Sequence, residues 1–230
     1  MPSEGYQNAY DSVFEGIDFK KKITKHSPVA KIIIDVALRN KSIELSRVGK
    51  PELITINKNF TGKGLADIVF RLGKGESNII YQNQTNSCEL TASKIANLIT
   101  QNKKDKRLDE SADYIEKFIH QDYSLAACLR KGVAFHYGPL PSVIRTAVES
   151  LVKERAVQYV VCTSTLAEGI NLPAKNLFLK NPFAHTPKGD KSAKLEKVKI
   201  ANIIGRAGRM LEHFSGNIFL IEQEDWLHEY

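Results

Sequence analysis

No Gly-x-x-x-x-Gly-Lys-Ser/Thr loop occurs in this chain, so no segment of it wraps nucleotide phosphates in the manner of a phosphate loop. Gly62-Lys63-Gly64 and Gly73-Lys74-Gly75 lack both the earlier glycine and the hydroxyl residue that reaches Mg²⁺. Cysteine is scarce: Cys88, Cys128 and Cys162 are scattered without metal-ligand spacing. That excludes a disulfide scaffold and fits reduced, mostly buried thiols of an intracellular protein. His26, His120, His185, His213 and His228 form no metal pattern with each other or with the cysteines, and no metal ligand set is expected. There is no apolar run of about eighteen residues and no signal-peptide core, so a membrane partner is not expected and the cytoplasm is.

What is present is ordinary for a folded domain. The 230 residues, 42% hydrophobic and 26% charged, suffice for one generous domain or a domain with an appendage. A net charge of +7 leans towards an anionic partner, nucleic acid being the commonest. Residues 1–27 are polar and lysine-rich and read as an interdomain connection or extension, with the domain proper over 28–230.

Lys31–Val36, a turn at Arg39-Asn40-Lys41 and Ile43–Leu45 predict a β-hairpin, with a further short strand over Leu53–Ile56. Ile32-Ile33-Ile34-Asp35 imitates a strand carrying a metal-binding Asp, but Val36 follows instead of a second acid, so it reads as a plain buried strand. Gly64–Leu72 predicts a short helix, Asn78–Tyr81 a compact strand, and Glu89–Ile99 a helix with Leu90, Ile95, Leu98 and Ile99 at helical spacing. Gln101–Arg107 reads as a lysine-rich loop before helices over Ser111–His120 and Ser124–Lys131, the latter closed by Gly132.

Thereafter strand and helix alternate. Val133–Phe135, Gln158–Cys162, Asn176–Leu179 and Asn217–Ile221 are strands; Ser142–Lys153 and Lys194–Gly205 are helices, and Lys180–Ala193 is a mobile loop. The pattern predicts an α/β fold with a mainly parallel central sheet flanked by helices. Ligands of such sheets bind outside the carboxyl ends of the strands.

Two blocks carry chemistry. Gly205-Arg206-Ala207-Gly208-Arg209 offers two planar, permanently charged forks three residues apart, which on a helix share a face. Its glycines leave room for a polyanion to approach the backbone. Alone, such a segment is usually a surface turn with ordinary salt bridges. Upstream, however, stands Thr163-Ser164-Thr165-Leu166-Ala167-Glu168-Gly169-Ile170-Asn171-Leu172-Pro173-Ala174, a run of small hydroxyls leaving a buried strand. Those hydroxyls suit either helix capping or contact with a phosphodiester backbone.

Together the blocks resemble motifs V and VI of superfamily 2 helicases, especially the Ski-like branch. Gly132-Val133-Ala134-Phe135-His136-Tyr137-Gly138-Pro139-Leu140 is similar to the strand and loop of motif IVa, and Asn78-Ile79-Ile80-Tyr81-Gln82-Asn83 to the motif IV strand. The resemblance covers Ile79 to Ile221. One departure is Asn202, where the family usually has Gln three residues before the first glycine of motif VI; the amide is kept with a shorter reach.

The resemblance implies a RecA-like domain, the second of a two-domain ATP-dependent helicase or translocase. Arg206 and Arg209 would act as arginine fingers towards ATP. Gly169, Asn171, Asn202 and Gly205 would border the nucleotide. Thr163, Ser164 and His136 would meet single-stranded DNA or RNA through its phosphate backbone, although the residues themselves favour His136 as a loop histidine satisfied within the protein. ATP and Mg²⁺ would be held mainly by a first RecA-like domain of the same polypeptide, and this chain alone would be inactive. The basic stretches Lys103–Arg107 and Lys188–Lys199 read as solvated faces or as phosphate contacts. The alternative is a non-catalytic helicase-like module that docks on nucleic acid or protein; retention of both arginines argues against it.

Overall fold

The computed structural model describes residues 30–39, 42–47, 50–56, 64–163, 174–180, 182–184, 193–195, 197–208 and 215–223. They build an eight-stranded sheet in the order β3-β2-β1-β10-β7-β4-β6-β5. The strands are β1 (Ala30–Arg39), β2 (Ser42–Arg47), β3 (Lys50–Ile56), β4 (Asn78–Tyr81), β5 (Val133–His136), β6 (Tyr159–Cys162), β7 (Asn176–Leu179) and β10 (Ser215–Ile221). From β1 to β5 all neighbours run parallel; β2 and β3 add an antiparallel margin. The expected α/β class with a mainly parallel sheet is the one found. β8 (Phe183–Ala184) and β9 (Ala193–Lys194) pair separately as an antiparallel ribbon, mostly within the stretch expected to be loop; Lys194, expected to open the following helix, lies in β9 and that helix begins at Lys197.

The helices are α1 (Leu65–Leu72), α2 (Thr85–Leu98), α3 (Lys106–Phe118), α4 (Ser124–Arg130), α5 (Ser142–Lys153) and α6 (Lys197–Gly205). Every residue of β4, β5, β6 and β7 is buried, as parallel strands covered on both faces must be. α2 and α4 pack against β5, and α2 also reaches β6. Ile32-Ile33-Ile34-Asp35 lies in β1 between β2 and β10, with Ile33 buried.

Local chemistry moves some boundaries. α3 starts at Lys106, within the stretch expected to be loop, because the Asp105 side chain accepts the Arg107 N–H at 3.1 Å and caps the first turn. α2 buries Cys88, Thr91, Ala92, Ile95 and Ala96, so Leu90, expected on its inner face, is 57% exposed. α4 ends as expected: Gly132 has φ 73°, a left-handed conformation that suits glycine before β5.

An asparagine ladder ties the amino ends of three strands. Asn217 Nδ2 donates to Asn176 Oδ1 at 2.9 Å, and Asn176 Nδ2 to Asn78 Oδ1 at 2.9 Å. Asn78 Nδ2 in turn donates to the carbonyl of Gly73 at 2.8 Å. Asn78 and Asn176 are both 2% exposed, and these bonds meet the requirement that buried amides be paired.

Candidate functional site

The carboxyl edge of the sheet gathers the described residues expected at nucleic acid. Thr163 follows β6, half-buried, and its N–H donates to the carbonyl of His136 at 3.2 Å. Next to it the Gln82 N–H donates to the Cys162 carbonyl at 2.8 Å, and Gln82 Nε2 to Thr91 Oγ1 at 3.0 Å. The ends of β4, β5 and β6, which carry the motif IV-, IVa- and V-like blocks, thus form one continuous rim.

His136 is the last residue of β5 rather than a loop residue, and its side chain is 1% exposed. Its Nε2 lies 3.4 Å from Glu149 Oε1 on α5, while Nδ1 has no hydrogen-bond partner. Burial pushes the imidazole pKa below its ordinary value; Glu149 opposes the shift and Arg145 adds to it. The neutral ring is therefore the native form near neutrality. Arg145 and Glu149 escaped attention in the sequence, where their spacing of four on a helix marks a shared face. One residue on, the Tyr137 hydroxyl donates to the Glu89 carboxylate, and burial with that partner drives the phenol pKa far upward.

The motif VI-like block stands elsewhere. α6 buries Ile200, Ile203 and Ile204 and exposes Asn202 and Gly205, with Arg206 half-exposed just beyond the helix. Spacings of three and four place Asn202, Gly205 and Arg206 on one solvent-facing stripe. A Cβ built on Gly205 would meet nothing within 4 Å, so the backbone there is open to a large ligand. The helix ends at Gly205, and the Arg206 N–H bonds the Ile203 carbonyl at 3.0 Å in a tightening turn. Arg206 therefore stands just past the helix and not on it.

What fixes this turn is a backbone exchange with the end of the motif V-like block. Ala174 N–H donates to the Arg206 carbonyl at 3.3 Å, and Gly208 N–H to the Ala174 carbonyl at 2.7 Å, bridging Ala174 and Ala207 in parallel. Ala174 precedes β7, so this junction sits at the amino edge of the sheet, opposite Thr163 and His136. Gly216 in β10 underlies it: a Cβ there would come 2.4 Å from the Ala207 carbonyl carbon. Nothing in the sequence marks Gly216 beyond being a strand glycine.

Ser164, Gly169, Asn171 and Arg209 lie outside the described residues. Among the described residues the stripe of α6 brings Asn202, Gly205 and Arg206 together on one exposed face. No group of three His, Cys, Asp or Glu that could hold a metal ion occurs among the described residues. No helix among the described residues is long and apolar enough to cross a membrane.

No profile of a known protein family matches the chain. It is 32% identical over 111 residues to "Anti-bacteriophage protein B" of Escherichia coli, covering 48% of this chain and 14% of that protein. It is 27% identical over 176 residues to "Helicase POLQ-like" of Caenorhabditis elegans, covering 72% of this chain and 18% of the relative. It is 34% identical over 102 residues to "ATP-dependent DNA helicase Hel308" of Methanococcus vannielii, covering 44% and 13%. The matched stretches thus span less than a fifth of these relatives. Over them, the chain is a homologue of the Ski-like superfamily 2 helicases.

Proposed function

We propose that this chain is the second motor domain of an ATP-dependent nucleic-acid helicase or translocase. The observation that carries the reading is the backbone exchange of Ala174 with Arg206 and Gly208. The segment between Thr163 and Ala174 joins the carboxyl end of β6 to the amino end of β7, so one short stretch links the two edges of the sheet. Nucleic acid at the Thr163 and His136 rim and ATP at the Arg206 stripe would both pull on that stretch. A motor needs such a link, because hydrolysis must be converted into movement along the strand.

In this reading Arg206 and Arg209 stabilise charge on the γ-phosphate, and Asn202, Gly205, Gly169 and Asn171 border the nucleotide. Thr163, Ser164 and the rim around His136 hold the phosphate backbone of a single DNA or RNA strand. ATP and Mg²⁺ are held mainly by a phosphate-loop domain of the same polypeptide, to which residues 1–27 would connect the domain over 28–230. That domain supplies the metal; this chain supplies positive charge and closure over the nucleotide.

The test is coupling. Single-stranded nucleic acid should stimulate ATP turnover of the polypeptide that unites this chain with a phosphate-loop domain, while this chain alone should hydrolyse none. Absence of ATP turnover by that polypeptide, with nucleic acid still bound, would leave the non-catalytic binding module as the better reading.

A further inference from the structure

The motif-lined rim is not where the described basic residues collect. At the amino edge, beneath β4, β6 and β7, lies a cavity of about 260 Å³ walled by Ser77, Asn78, Lys103, Lys153, Arg155 and Ala174. Lys74 sits in the turn that leads to it, Lys104 follows Lys103, and Lys175 follows Ala174. Carboxylates here are fewer and partly engaged: Arg107 binds both Asp105 and Glu154, at 2.6 and 2.9 Å, leaving Glu76 at the wall. Lys103 is built in, its Nζ donating to the Ala156 carbonyl at 2.7 Å and to Arg155 O at 3.4 Å.

The size of the cavity decides what fits. Ligand pockets for whole drug-sized molecules run from roughly 300 to 1,000 Å³, so this one suits a phosphate with part of its sugar, not an enclosed nucleotide. Its floor also has a connection. Ala174 forms part of the wall and is the residue whose backbone pairs with Arg206 and Gly208.

We propose that the amino-edge cavity is a second phosphate-binding site, distinct from the carboxyl rim, and that it reports its occupancy to the Arg206 turn through Ala174. The phosphate comes either from a nucleic-acid strand or from free polyphosphate. The proposal goes beyond the motor reading and does not depend on it, since its basic residues, Lys74, Lys103, Lys153 and Arg155, lie outside the helicase-like blocks.

The experiment is amide NMR of the chain titrated with tripolyphosphate and, separately, with a single-stranded oligonucleotide. Tripolyphosphate is expected to shift the amides of Gly75, Ser77, Gln158 and Ala207, and Lys74→Ala with Lys153→Ala to weaken that response about tenfold or more. If the oligonucleotide shifts the same amides, the strand is a source; the double variant should then lower the slope of log affinity against log salt by about 1.4, at ~0.7 per lost contact. Shifts from tripolyphosphate alone assign the site to free phosphates. Absence of shifts with both probes, or shifts unchanged in the double variant, would overturn the proposal. Thr163→Ala, at the opposite edge, should leave the tripolyphosphate response intact, so failure here is separable from failure of the motor reading.

Discussion

Gly216 and Ala207 approach so closely that no side chain fits between them: a Cβ on Gly216 would lie 2.4 Å from the Ala207 carbonyl carbon and 2.5 Å from its oxygen. Both partners at this contact are backbone, so neither can swing aside. Gly216→Ala should force the Arg206–Gly208 turn away from Ala174 and cost about 1–3 kcal/mol, as overpacking does. A thermal melt should show the loss. Amide exchange should localise it to Gly208, whose N–H bonds the Ala174 carbonyl at 2.7 Å. An unchanged melting temperature with full protection at Gly208 would show that this contact does not hold the turn.

The asparagine ladder yields a second expectation. Asn176 sits between Asn78 and Asn217, accepting from one and donating to the other, and is 2% exposed. Asn176→Ala strands Asn78 Oδ1, which is buried, and Asn217 Nδ2, which is half-buried. An unsatisfied buried group costs about 1–3 kcal/mol, so the variant should lose at least that much in urea denaturation. Loss well under this would mean that the neighbours re-pair or admit water.

How much of this was legible beforehand follows the range of the forces involved. Asn78–Tyr81 was readable as a strand because Ile79, Ile80 and Tyr81 make a short continuous apolar run. Gly132 was readable because a helix stop and a left-handed residue coincide there. The start of α3 was missed because the capping bond to Asp105 outweighs the loop-like look of the lysines around it. Leu90 was misplaced because the small residues Cys88, Ala92 and Ala96 make the tight contact instead. The Ala174–Ala207 bridge and the underlying Gly216 left no trace, since backbone bonds between remote segments are indifferent to side-chain identity. The motif blocks pointed to Thr163 and Arg206, but not to their lying at opposite sheet edges.

His136 supplies a pH dependence. Burial holds its folded pKa below the ordinary 6.5, with Glu149 and Arg145 as the charged groups against it. Between the two values the unfolded chain takes up a proton that the folded chain refuses. The stability contribution is therefore complete above about 6.5 and is lost as the pH falls from there to the folded pKa. Melting temperature should decline across that window in the wild type and decline less in His136→Gln. Parallel pH profiles for the two proteins would show that the ring titrates freely.

The sharpest expectation concerns Arg206 and Arg209 in the polypeptide that joins this chain to a phosphate-loop domain. Arg206 stands half-exposed beside the open backbone of Gly205, with its carbonyl pinned to Ala174, so its backbone is held in place. If both arginines meet the γ-phosphate, replacing either by Ala should lower ATP turnover by about 10³-fold or more, the lower range for an arginine finger. Lys should rescue poorly, because a point charge cannot reproduce the two-pronged guanidinium. Affinity for single-stranded nucleic acid should change far less, since the Thr163 and His136 rim lies at the opposite edge of the sheet. Steady-state ATPase at saturating oligonucleotide, with a melt to confirm folding, measures all three. A folded Arg206→Ala, Arg209→Ala double variant that retains near-normal turnover would remove both residues from the nucleotide and with them the arginine-finger role.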